Sequence, residues 1–202
     1  MTDRPASLRR GRGRRPAGEV RAAALRAASD ILFESGMAAI TFEKVASKAG
    51  VSKMTLYKWW PSPGALAYEA YSVAVEDTLA FEDTGDIIVD LKTQLRAFVS
   101  LLTTDRAGRV IAELIGAAQT DPALADEFVR SYAGPRRSLA VERLISARRA
   151  GQIADGVDLN GVVDQLWGAC YHRLLLPTLP LTPEFGDALV DNLALGITRP
   201  RR

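Results

Sequence analysis

Residues 41–60 read TFEKVASKAGVSKMTLYKWW, two short helix-forming stretches divided by a glycine. Thr41 stands where a helix N-cap is needed, and Val45 and Ala46 give the following short helix an apolar side. Gly50 supplies permissive backbone for a tight turn at Ala49-Gly50-Val51. Ser52 is a second N-cap, opening a helix from Lys53 to Trp60, and Pro61 breaks the chain. Two short helices about a tight turn are the layout of a helix-turn-helix. Ala46 lets the helices approach, while Val51 and Leu56 fill the space between them. The outward face of the second helix then carries Ser52, Lys53, Met54, Thr55, Tyr57 and Lys58. Lysine meets phosphate, hydroxyls bond phosphates or base edges, and methyl or thioether groups pack on thymine methyls.

Upstream, a helix starts near Glu19, with Leu25, Ala28 and Leu32 on one stripe and Gly36 as its stop. Downstream, Ser62-Pro63 opens a fourth helix that the pattern carries to about Glu82. Further helices are expected near 86–103, 105–120, 122–132, 135–150, 158–176 and 183–197, with no sustained strand-like alternation. The fold class is all-α: a three-helix helix-turn-helix DNA-binding domain, then a helical bundle, with about nine to ten helices in all. Residues 1–17 read as a basic arm without hydrophobic period, expected to be disordered. Residues 18–65 form the DNA-binding unit, with its helix-turn-helix at 41–60, and residues 66–202 the remaining body.

Charge divides along the same line. Residues 1–60 hold twelve Lys/Arg against five Asp/Glu, and the remainder fourteen against nineteen. A basic head on an acidic body implies that one end meets a polyanion. No apolar run is long enough to span a bilayer, and no apolar core follows the basic N-terminus as in a secretory signal. The single cysteine, Cys170, excludes an intrachain disulfide and fits a cytoplasmic protein. The single histidine, His172, excludes a histidine-rich metal site. No Gly-rich phosphate loop, HExxH or G-x-S-x-G is present, so no enzyme, metal site or cofactor is expected.

The segment GVSKMTLYKWW, preceded by Thr41 and a long first helix, closely resembles the signature of the TetR family over residues 18–70. The resemblance implies that the helix starting near Ser52 enters the major groove of a double-stranded operator. By position it implies that Thr41, Ser52, Lys53, Met54, Thr55, Tyr57 and Lys58 face DNA. Trp59 stands where many members have a histidine close to phosphate, and its indole N–H is able to donate in the same way. Packing is the competing reading for Met54 and Trp59, and plain solvation for Lys53 and Lys58. Family members usually have a lysine at the start of the fourth helix, where this chain has Pro63. Arg12, Arg14 and Arg15 of the arm are the candidates to replace that phosphate contact.

The resemblance continues more loosely through ELIGAAQTDPALADEF, RSYAGPRRSLAVERLISARRAGQI, LWGACYHRLLL and PLTPEF. It implies a homodimer built on the last two long helices and a small-molecule pocket enclosed by the middle ones. Candidate pocket residues are Phe98, Leu102, Ile111, Leu114, Ile115, Phe128, Trp167 and Tyr171, with ordinary core packing as the competing reading for each. The function implied is a transcriptional regulator, a repressor released from a palindromic operator by a small apolar effector that shifts the fourth helix. A DNA-binding protein whose body only dimerises is the rival reading; a filled core would favour it.

Overall fold

The computed structural model describes residues 16–76, 81–104 and 106–196. Arg12, Arg14 and Arg15 lie outside these described residues. The elements run α1 (Ala17–Ser35), a 3-10 turn (Met37–Ala39), α2 (Phe42–Ala49), α3 (Lys53–Tyr57), α4 (Pro63–Ala74), α5 (Ile87–Thr103), α6 (Ala107–Ala118), α7 (Pro122–Phe128), a π turn (Val129–Ala133), α8 (Gly134–Arg149), α9 (Leu159–Leu175) and α10 (Pro183–Leu195). No strand occurs among the described residues.

Local chemistry sets most of these starts. Ser62, Asp121 and Thr182 each accept a backbone N–H of the first turn, and each is followed by proline at the first helical position. The pairing satisfies one orphan donor and fixes the first φ, worth about 1 kcal/mol per cap. The turn after α2 is equally local. Gly50 is left-handed at φ 66°, Val51 N–H reaches back to Ala46 O at 3.0 Å and Gly50 N–H to Ser47 O at 3.4 Å. That is a Schellman ending, and it requires glycine for its φ rather than for space.

Three expected boundaries are corrected. The recognition helix ends at Tyr57 rather than running to Trp60; Trp59 N–H bonds Leu56 O in a tighter turn, and Pro61 bars continuation. The fourth helix ends at Ala74 rather than near Glu82. Val75 turns into the core, and the freed Ser72 carbonyl accepts from the Arg136 guanidinium at 3.3 Å. Finally, no break separates residues 122–132 from 135–150. Pro135 has no N–H to give to the helix, so the backbone widens to a π turn in which Gly134 N–H bonds Val129 O. A Cβ at Gly134 would lie 2.7 Å from that same oxygen, so only glycine fits there.

α1 packs on α2 and α4, α5 on α10, and α8 on α9. α4 is driven into the body by Tyr68 and Tyr71, both wholly buried. Tyr68 Oη donates to Leu114 O at 2.6 Å and Tyr71 Oη to Ala107 O at 3.4 Å. α6 holds the end of α1 as well: Arg106 donates to Phe33 O at 2.9 Å, and Glu113 accepts from Met37 N at 2.7 Å. Buried Asp90 and Arg143 pair across α5 and α8, with Asp90 also taking the Thr84 N–H at 3.1 Å.

α6 starts in close quarters: a Cβ on Gly108 would stand 1.9 Å from Leu102 O, whereas nothing lies within 4 Å of one on Gly116. Gly108→Ala is therefore expected to destabilise by at least about 1–3 kcal/mol. Gly116→Ala, in the same helix, should be neutral or stabilising by up to about 1 kcal/mol. Urea unfolding of the two variants checks this; equal midpoints would contradict the packing described.

Candidate nucleic-acid interface and the cavity behind it

The helix-turn-helix is bolted together from beneath. Phe42, Val45, Ala46 and Leu56 are buried, and the Tyr57 ring meets Phe42 edge-on with centroids 4.6 Å apart. Trp60 is buried too; its indole N–H donates to Glu69 Oε2 at 2.7 Å, and Glu69 also takes Arg21, whose guanidinium lies over the Trp60 ring. This knot ties the end of the recognition helix to α4 and α1. Sequence reading passed over Trp60 in favour of its neighbour Trp59, although Trp60 is the one that precedes the proline.

Of the residues expected to face DNA, Ser52, Lys53, Met54, Tyr57 and Lys58 are exposed, and Thr41, Thr55 and Trp59 are half-buried. Met54 is 77% and Tyr57 57% accessible, high for apolar and aromatic side chains. Thr41 and Ser52 also act as caps, accepting from Lys44 N and Thr55 N at 3.2 Å each. Ser52 Oγ lies 2.8 Å from Thr55 Oγ1 as well. Trp59 packs edge-on against Trp60 and borders a groove with Met54, Thr55 and Lys58, opposite Val20 of α1 and Pro16, which precedes that helix.

Lys53 is not a free cation. Its ammonium pairs with Glu43 at 2.6 Å across the turn. Hydrogen bonding to Glu43 raises the Lys53 pKa, and the same bond lowers that of Glu43. The pair adds no net charge to the face, so Lys58 is left as the cation of the recognition segment without an ion-pair partner among the described residues. Pro63 opens α4 with Ser62 as its cap (Ala65 N to Ser62 Oγ, 3.1 Å). The helix N-terminus directs its partial positive charge there in place of a side-chain cation.

Behind α4, the body holds a partly open cavity of about 200 Å³. Four expected residues line it: Phe98, Phe128, Trp167 and Tyr171. Leu102, Ile111 and Leu114 are instead buried in the continuous core, and Ile115 packs against that core. None of these four borders the cavity. Sequence reading missed Gln94, Tyr132, Arg136, Arg137 and Asp164, which do. Phe128 and Tyr132 stack at 5.5 Å, Phe98 meets Tyr171 edge-on at 5.3 Å, and Trp167 donates to Gln94 Oε1 at 3.3 Å. Cys170 is fully buried, and burial pushes its thiol up to about 12, which makes it inert packing. No group of metal-ligating side chains occurs among the described residues, and no helix there is long and apolar enough to cross a membrane.

Comparison with known proteins agrees with this architecture. Residues 24–70 match the family model for bacterial regulatory proteins of the tetR family, and residues 81–193 the model for the tetracyclin repressor-like C-terminal domain. An uncharacterised HTH-type transcriptional regulator of Bacillus subtilis, YdeS, is 35% identical, covering 87% of this chain and 88% of its own. The DNA-binding transcriptional repressor TetR of Mycobacteroides abscessus is 31% identical over 91% of this chain and 96% of its own. The crystal structure of the TetR family transcription regulator SCO0332 superposes with a TM-score of 0.84 at 55% identity, covering 90% of this chain and all of that one. The chain belongs to the TetR family of DNA-binding transcriptional regulators, a family of regulators rather than enzymes.

Proposed function

We propose that the protein is a cytoplasmic homodimeric repressor, released from a palindromic operator by a small, largely aromatic effector. Residues 18–65 are the reading unit and residues 66–202 the effector and dimerisation body. The observation that carries this reading is a shared residue. Arg136 borders the aromatic cavity and also holds Ser72, near the end of the helix that supports the recognition segment. An occupant of the cavity is thus one side chain away from α4. A change in α4 alters the spacing of two recognition helices, provided that the effector discriminates between the two arrangements.

Dimerisation is assigned to α9 and α10. Leu175 and Leu176 at the end of α9 and Leu195 at the end of α10 are exposed. They supply apolar surface for a second copy, and a two-fold protein matches a palindromic site. The name of the M. abscessus relative, a transcriptional repressor, supports the sign of regulation.

On the DNA side, Tyr57, Met54, Lys58 and the Trp59 indole make the direct contacts, with Thr41, Ser52 and Thr55 adding hydroxyls. Arg12, Arg14 and Arg15 contribute phosphate contacts from the arm. Lys53 reaches phosphate only by leaving Glu43, which makes its bond to DNA conditional on a well-seated complex.

Mobility shift on the DNA around its own gene, with excess nonspecific competitor, tests the reading. A competitor-resistant complex abolished by Tyr57→Ala is expected, since Tyr57 lies outside the core and its removal leaves Leu56 in place; a specific complex unaffected by that change would contradict the assignment. Deleting residues 1–15 should flatten the salt dependence, by about 0.9 in log–log slope for each phosphate that the arm no longer neutralises. An unchanged slope would refute the arm's role. Conversely, Glu43→Gln frees Lys53 and is expected to tighten nonspecific binding and steepen the slope by about 0.9. Fluorescence anisotropy on random duplex reads this, and a slope equal to wild type would mean that Lys53 does not meet phosphate.

A further inference from the structure

The cavity is aromatic in its walls but not neutral in its chemistry. Its polar groups can be accounted for singly. The Trp167 N–H is committed to Gln94. Tyr171 Oη donates to Tyr132 Oη at 3.4 Å, and burial raises the pKa of both phenols, so neither ionises near neutral pH. Asp164 at the rim is paired with Arg137. Arg136 remains. Its guanidinium stacks 4.2 Å from the Tyr132 ring centroid. Nη1 donates to Ser72 Oγ at 3.1 Å and to Tyr132 O at 3.4 Å, and Nη2 to Ser72 O at 3.3 Å. Every acceptor is neutral. Nε is buried and has no partner, and no carboxylate lies within ion-pair distance among the described residues. Arg136 borders the cavity, and a permanent cation bonded only to neutral acceptors, with one buried donor left unpartnered, is an incomplete ion pair.

We propose that the cavity takes a compact aromatic anion, of the arylcarboxylate class, with its ring among Phe98, Phe128 and Trp167 and its carboxylate on Arg136. At about 200 Å³ the space lies below the roughly 300–1,000 Å³ usual for ligand pockets, so the occupant has one ring or two fused rings. A carboxylate is a stronger acceptor for guanidinium than a peptide carbonyl or a hydroxyl. Its arrival draws Arg136 off Ser72 and leaves the C-terminal end of α4 uncapped. This second step rests on the proposed function; the binding step does not.

The test titrates the full-length protein, without DNA, by calorimetry. The probes are benzoate, 1-naphthoate, 2-naphthoate and indole-3-acetate, each set against its own primary amide. At least one acid is expected to bind about tenfold or more tighter than its amide, the margin of a charge-assisted bond over a neutral one. Arg136→Gln should bring that ratio close to one while the amide's affinity holds. Arg136→Lys, which keeps the charge, should retain a preference for the acid, and thermal melts by circular dichroism establish that both variants are folded. No binding by any acid, amides binding as well as acids, or a preference that survives in Arg136→Gln would each overturn the assignment. Uncapping is read separately, by adding the bound acid at saturation to the operator complex: release supports it and an intact complex overturns it. Failure to form any operator complex would count against the proposed function and leave the DNA-free titration standing.

Discussion

α4 is seated between the recognition segment and the body by two tyrosines and a glutamate. Tyr68 and Tyr71 leave this helix on its body side and give their hydroxyl protons to carbonyls of α6. Burial pushes the Tyr68 phenol up to about 12 and Tyr71 higher still, so both remain donors across the physiological range. On the other side the helix carries Glu69, which gathers Trp60 and Arg21. One helix therefore belongs to two packed groups at once. Its position sets where the recognition segment stands, and the rings around the cavity in turn set its position: Tyr71 lies 5.3 Å from Tyr132, and Tyr68 5.8 Å from Phe128.

Electrostatics and packing divide the work at the DNA-facing surface. Beneath it lies a packed apolar layer, with Leu56 and Val45 fully enclosed. The surface itself is sparing in positive charge, because Glu43 cancels Lys53 and Pro63 contributes none. Such a face favours a partner that offers shape and base edges over one that offers only a row of phosphates.

What was legible in the sequence follows from range. The caps and the turn that mark out the helix-turn-helix are contacts between residues at most a few positions apart: a cap at Thr41, a left-handed Gly50, a cap at Ser52. Each is a property of a residue and its neighbours, so the pattern is readable without the fold. The cavity is not of that kind. Phe98 and Leu102 are equivalent in sequence, one helical turn apart on an apolar stripe, yet only the first reaches the opening. Arg136 and Arg137 are adjacent and chemically identical; the backbone register of α8 sends one to Ser72 and the other to Asp164. The early end of α4 was hidden for the same reason, since the arginine that closes it lies 64 residues away.

That register is itself the work of the π turn. Pro135 withholds a donor and Gly134 admits the crowding, and together they let the rod from α7 to α8 carry its extra residue. Were Val129–Ala133 to tighten into ordinary α-helix with no change in length, all of α8 would rotate by about 100° about its axis. Arg136 would swing away from Tyr132, and a different side chain would face the rings. The lining of the cavity is thus encoded in the winding of a backbone as much as in the residues displayed on it. A shift of this wide turn along the chain would change which side chains of α8 line the cavity with no substitution anywhere in α8.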